Sequence, residues 1–95
     1  IIYAESTDGI TFQYKGVVAS LPNDALIDSN TFLLGDSWYM YAIGTTATTH
    51  FRFTSKDGKT FTPAGELRLN GTGGGGDYFA SNGYTTSDGR YRMFA

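Results

Sequence analysis

The chain has no cysteine, two prolines, a single histidine and no long apolar run. Without cysteine, neither a disulfide nor a thiolate metal site can reinforce the fold. One histidine with no cysteine beside it is a poor start for a metal centre, so neither metal nor cofactor is expected. The short apolar runs exclude a membrane-spanning helix. Seven Lys+Arg against nine Asp+Glu give a net charge of −2. Positive charge is neither in excess nor clustered, which argues against nucleic acid or an anionic membrane as the partner. No apolar stripe of helical period and length is present.

What the chain does have is glycine, threonine and aromatics. Thirteen Gly, thirteen Thr, seven Tyr and seven Phe stand among 95 residues. Thr and aromatics suit pleated, half-buried surfaces, and Gly and Asp-Gly pairs suit tight turns. A chain this short buries a modest core, so association is the remaining route to extra stability.

The pattern repeats. Ser6-Thr7-Asp8-Gly9-Ile10-Thr11-Phe12 returns as Ser55-Lys56-Asp57-Gly58-Lys59-Thr60-Phe61, an offset of 49 (55 − 6). Trp38-Tyr39-Met40-Tyr41-Ala42 returns as Tyr91-Arg92-Met93-Phe94-Ala95, an offset of 53 (91 − 38). The segment Gly71-Thr72-Gly73-Gly74-Gly75-Gly76 is where the additional residues fit most cheaply, and its four-glycine run lacks the Gly-Lys-Ser/Thr ending of a phosphate loop. Asn70-Gly71-Thr72 is a glycosylation sequon, relevant in a eukaryotic secretory setting. A period of roughly 50 fits a four-stranded β-propeller blade.

Alternation and turn signals predict eight strands: 1–5, 10–15, 26–34, 38–43, 50–54, 59–62 with a continuation at 66–69, 78–86 and 90–94. The fold class expected is all-β, with about two propeller blades in permuted phase. Residues 1–15 make an outer half-blade, 26–69 a complete blade and 77–95 an inner half-blade. Half-blades leave backbone groups unpaired along an edge. Other copies or a longer parent chain are expected to complete them, and three copies would close a six-bladed ring.

In each Ser-x-Asp-Gly-x-Thr-Phe segment, glycine permits the positive φ of the turn. The aspartate is short enough to accept from nearby backbone amides, and the aromatic can fill the core. Ser6, Asp8, Gly9, Thr11 and Phe12, with Ser55, Asp57, Gly58, Thr60 and Phe61, are therefore structural turn residues. These segments resemble the Asp-box of sialidases, which implies a propeller and an outward-facing structural motif. The Arg-Ile-Pro signature and arginine clamp of sialidases are absent. Asp28-Ser29-Asn30-Thr31-Phe32-Leu33-Leu34-Gly35-Asp36-Ser37-Trp38-Tyr39 resembles the first innermost strand of family 43 and family 32 glycoside hydrolases, with Ser29 in the usual proline position. That resemblance implies an extracellular or periplasmic setting and places Asp28 on the catalytic aspartate of the central pocket.

Asp28 and Asp77 are the candidate catalytic carboxylates, since glycoside hydrolysis needs two across the bond. Asp28, Asn30, Asp77, Tyr78 and Asn82 are the candidate ligand-binding residues. Asn23 and Asp24 follow Pro22 and read as turn formers. Trp38, Tyr39, Tyr41, Tyr78 and Tyr84 could stack on sugar faces or fill the core, and Trp38 and Tyr39 should face opposite ways. The expected partner is carbohydrate. Three functions are open: a glycoside-hydrolase-like segment inactive on its own, a lectin-like ring of copies, or a structural propeller segment.

Overall fold

The computed structural model describes residues 1–46, 49–67 and 82–94. These residues are all-β, without helix, and form several open antiparallel sheets. Eight strands follow in order: β1 (Ile2–Glu5), β2 (Gln13–Val17), β3 (Leu26–Leu34), β4 (Ser37–Gly44), β5 (His50–Ser55), β6 (Thr62–Glu66), β7 (Gly83–Thr85) and β8 (Tyr91–Met93). β1 and β2 form a two-stranded sheet, β3–β4–β5–β6 a four-stranded sheet in sequence order, and β7–β8 a second two-stranded sheet.

All eight strands were anticipated, but β2 and β6 begin later than the predicted residues 10 and 59. The reason is chemical. The Asp8 carboxylate accepts from the amides of Ile10 and Thr11, and Asp57 does the same for Lys59 and Thr60. Those amides are taken out of any ladder, so pairing resumes only at Gln13 and Thr62. β6 ends at Glu66, where the continuation had been expected to start. Residues 68, 69 and 78–81 of the predicted strands lie outside the described residues.

Register assigns the faces of the four-stranded sheet. Trp38, Met40 and Ala42 pair with Ser55, Phe53 and Phe51 across β4–β5. They share one face because side chains alternate along a strand. Met40, Ala42 and Phe53 are buried to 2%, 1% and 0% exposure. Ala19 and Phe61 complete this core, and Ile1, Val18, Leu21 and Leu26 pack against it. The segment after β2 is fixed there through its backbone. Val18 N donates to Ile1 O at 3.0 Å, Phe61 N donates to Val18 O at 3.0 Å, and the Ile1 ammonium donates to Ala19 O at 2.8 Å.

The other face carries Tyr39, Tyr41 and Arg52, with Phe32 beside Tyr39 on β3. The β7–β8 hairpin leans on it. The Tyr91 ring stacks on Phe32 with centroids 3.5 Å apart and planes 7° from parallel. Thr85 Oγ1 donates to Leu33 O at 2.7 Å. Trp38 and Tyr39 therefore face opposite ways, as alternation requires.

Phe12 departs from its expected role. Phe61 is 7% exposed, whereas its repeat equivalent Phe12 is 61% exposed. Phe61 closes over the β4–β5 face. Among the described residues the β1–β2 hairpin has no such strands beside it, and Phe12 stays exposed.

Phe53 is the one large side chain among the described residues with no exposure. Truncating a core Phe costs about 3–5 kcal/mol, a large share of the total stability of a small domain. Phe53→Ala should shift the chemical denaturation midpoint strongly downward. Phe12→Ala should leave the midpoint of the monomer nearly unchanged.

Candidate functional site

The two turn segments have the same atomic geometry. Ser6 Oγ donates to Asp8 Oδ1 at 2.8 Å and accepts from Gly9 N at 2.9 Å. Asp8 Oδ1 accepts from Ile10 N and Thr11 N at 2.8 and 2.9 Å. In the second copy, Ser55 Oγ donates to Asp57 Oδ1 at 2.9 Å and accepts from Gly58 N at 3.0 Å. Asp57 Oδ1 accepts from Lys59 N and Thr60 N at 2.8 and 2.9 Å. Gly58 sits at φ 72°, and a Cβ there would meet the Trp38 indole at 2.9 Å. Glycine is required at that position for both backbone and space.

Both carboxyls are held at about 2, below the ordinary 3.8. The largest cause is the backbone amide of Thr11 or Thr60, followed by that of Ile10 or Lys59 and then the serine hydroxyl. A hollow of about 600 Å³ lies around the first clasp, lined by Glu5, Ser6, Thr7, Asp8, Thr11 and Gln13. It is the surface of a turn: the Asp8 oxygen that defines it is already engaged by three donors.

Asp28 lies on β3 in a different setting. Ile27 pairs with Ile43 and Asn30 with Tyr41, so Asp28 and Ser29 together oppose the single residue Ala42. This is a β-bulge, a device that redirects a side chain. Asp28 adopts φ 49° and is the one non-glycine residue with positive φ among the described residues. Aspartate enters that region more readily than most residues, yet still at a cost. Its side chain is exposed.

The neighbouring candidates divide. Asn30 Nδ2 donates to Tyr91 OH at 2.5 Å. Its amide nitrogen thus ties β3 to β8. Asn82 is exposed and immediately precedes β7, which packs against β3, and its carbonyl accepts from Phe94 N at 2.9 Å. Asp77 and Tyr78 lie outside the described residues. Asp24 acts as a loop clasp: its Oδ1 accepts from Thr46 N at 2.8 Å and Thr45 Oγ1 at 3.3 Å. His50 is 9% exposed and belongs to the sheet. The described residues contain no group of His, Asp and Glu able to hold a metal.

Between the four-stranded sheet and β8 lies an aromatic cleft of about 390 Å³. Phe32, Tyr39, Tyr41, Arg52, Tyr91 and Met93 are among its walls. The Arg52 guanidinium lies 5.1 Å from the Tyr39 ring centroid and donates to Ala64 O at 3.1 Å. Burial pushes the Tyr41 phenol above its usual range, opposed by the Arg52 charge. Of the aromatics considered for stacking, Tyr39 and Tyr41 line this cleft, and Trp38 packs against the core. Tyr84 is 49% exposed beneath Arg92. The cleft is not legible in local sequence, because its walls come from elements far apart in the chain. The alternation of Tyr39, Tyr41 and Arg52 on one face was the available signal.

Comparison of the chain with protein-family models, with curated proteins and with solved structures finds no match.

The clasps carry a pH dependence. A carboxyl lowered on folding stabilises the native state above its unfolded value and loses that contribution as pH falls through its folded value. The clasp contribution should be complete above pH 3.8 and decline toward about pH 2. Asp57→Asn keeps an acceptor oxygen but cannot titrate, so thermal unfolding followed from pH 5 to 2 should show a shallower acid limb. Ser55→Ala should cost more than Ser6→Ala, because Ser55 is 6% exposed and its bonds to Asp57 and Gly58 are partly shielded from water, whereas those of Ser6 are exposed.

Proposed function

We propose that this chain is a carbohydrate-binding β-propeller segment that does not catalyse on its own, with Asp28 as the residue that accepts sugar hydroxyls. The observation that carries this reading is the backbone of Asp28. A non-glycine residue held at φ 49° in a bulge, with an exposed carboxylate, is a local cost. Such costs concentrate at sites of function.

The propeller part of the reading draws on three features. Identical clasps recur at the interval of the repeat. The sheets follow the order two strands, four strands, two strands, which matches an outer half-blade, a full blade and an inner half-blade. β7 lies against β3, as innermost strands of successive blades do around a central axis. On this arrangement Asp28 stands on the innermost strand of the complete blade. This is also the position implied by the likeness to family 43 and family 32 glycoside hydrolases.

Hydrolysis of a glycosidic bond requires two carboxyls roughly 5–9.5 Å apart with different protonation roles. Of the candidate pair only Asp28 is among the described residues, and the Asp8 and Asp57 carboxyls are committed to their turns. Binding therefore fits this residue set better than catalysis. A carboxylate accepting from two vicinal hydroxyls orients a sugar without needing a proton of its own.

Two substitutions separate binding from backbone strain. Asp28→Gly accommodates φ 49° without a Cβ penalty and should leave stability equal or slightly higher. Asp28→Ala keeps the strain and should be less stable than the glycine variant by about 1 kcal/mol. Both should lose binding on a glycan array and in calorimetric titration of the hits. Retained binding in Asp28→Gly would show that Asp28 is only a turn former and would remove the sugar site from this strand.

A further inference from the structure

The internal repeat pairs β1–β2 with β5–β6, through the matching clasps, and β7–β8 with β3–β4, through the matching 38–42 and 91–95 segments. Within the four-stranded sheet, β4 is joined along its outer edge by β5. Among the described residues β8 has no such neighbour, and β1 has no strand on the side where β5 has β4. The chain thus carries two open edges that are complementary by its own repeat. Carrying the β4–β5 register across the two offsets aligns Tyr91 with Ser6, Arg92 with Glu5, Met93 with Ala4 and Phe94 with Tyr3.

We propose that β8 of one copy pairs antiparallel with β1 of a second copy in this register, making a head-to-tail contact between chains. Charge supports it: the register places the exposed Arg92 directly opposite the exposed Glu5 of the second copy. Surface chemistry supports it too. Ile2, Phe12 and Tyr14 are 64%, 61% and 64% exposed. Ala4 pairs with Tyr14, and alternation puts Ile2, Ala4 and Tyr14 on one face of the hairpin. In the assembled sheet that face continues the one bearing Tyr91 and Met93, and it closes over the cleft formed by Phe32, Tyr39, Tyr41 and Arg52. Phe12 of the second copy then occupies the place that Phe61 holds in the complete sheet. The contact is heterologous, so it propagates from copy to copy, into a ring where the rotation closes and a filament where it does not. It rests on the repeat and the open edges, and the sugar reading does not enter.

β8 offers a clean block. Phe94 N donates to Asn82 O at 2.9 Å and Thr86 N to Arg90 O at 2.8 Å. Hydrogen bonds of an antiparallel pair engage alternate residues, so the amides of Tyr91 and Met93 point to the open edge. Met93→Pro removes one of these donors while sparing the bonds to β7. The test is sedimentation equilibrium of the 95-residue chain from micromolar to millimolar concentration, with far-ultraviolet circular dichroism as the control for folding. Wild type should associate, and Met93→Pro should stay monomeric with an unchanged spectrum. Arg92→Glu and Glu5→Arg should each weaken association roughly tenfold by opposing like charges across the strands. The double reversal should restore it, because Arg92 and Glu5 share no ion pair within one chain. Asp28→Gly should associate like wild type, which separates this contact from the sugar site. Wild type remaining monomeric throughout, Met93→Pro associating normally, or a double reversal as weak as the single ones would each overturn the proposal.

Discussion

The structure depends on one use of a carboxylate: an aspartate that takes up the backbone amides of its own turn. In water such amides would be solvated freely, and in a ladder they would be paired across strands. Here Asp8 and Asp57 gather two amides and a serine hydroxyl on one oxygen. This ends one strand, reverses the chain and sets where the next can begin. Because the clasp uses only residues within a seven-residue segment, it forms the same way in a two-stranded sheet and in a four-stranded one. Its geometry is local, while the burial of its aromatic depends on what stands beside it. Phe61 and Phe12 differ for that reason alone.

The four-stranded sheet is the part of the molecule that satisfies itself. Its inner strands pair on both sides, and one face closes over Phe53, Met40 and Ala42. Its other face is covered only in part, where Tyr91 stacks on Phe32 and Asn30 reaches Tyr91. On the proposed reading the flanking hairpins are each half of the same construction. They bury little for themselves and display apolar side chains and unpaired edges, features that natural sheets seldom leave uncovered. This imbalance links the fold to the proposed contact between copies. It is also consistent with the proposal that a chain without cysteine gains stability from association.

Much of this was legible in the sequence, and the limits have physical causes. The eight strands and the opposed faces of Trp38 and Tyr39 follow from alternation, which depends only on neighbouring residues. The starts of β2 and β6 were misplaced because propensity weighs Ile10, Thr11, Lys59 and Thr60 as strand formers. It does not register that a side chain three residues or fewer upstream has taken their amides. Asp28 was picked out by its place in a pattern, but nothing in the sequence announces a bulge there. One additional residue relative to the partner strand shows only once Ile27 is matched to Ile43 and Asn30 to Tyr41. Asn30 was read as a candidate ligand-binding residue, and its hydrogen bond to Tyr91 is a contact across 61 positions that local reasoning cannot supply. The cleft around Arg52 was missed for the same reason.

The central claim is that one four-stranded unit is repeated here in interleaved halves whose open edges are completed from outside. Amide hydrogen exchange of the 95-residue chain at increasing concentration tests it most directly, read at Tyr91 and Met93 against Phe53. Phe53 should be protected at every concentration, and the two β8 amides should pass from fast exchange to protection as the concentration rises. Fast exchange at Tyr91 and Met93 at all concentrations would contradict the account, as would protection already complete in the dilute monomer.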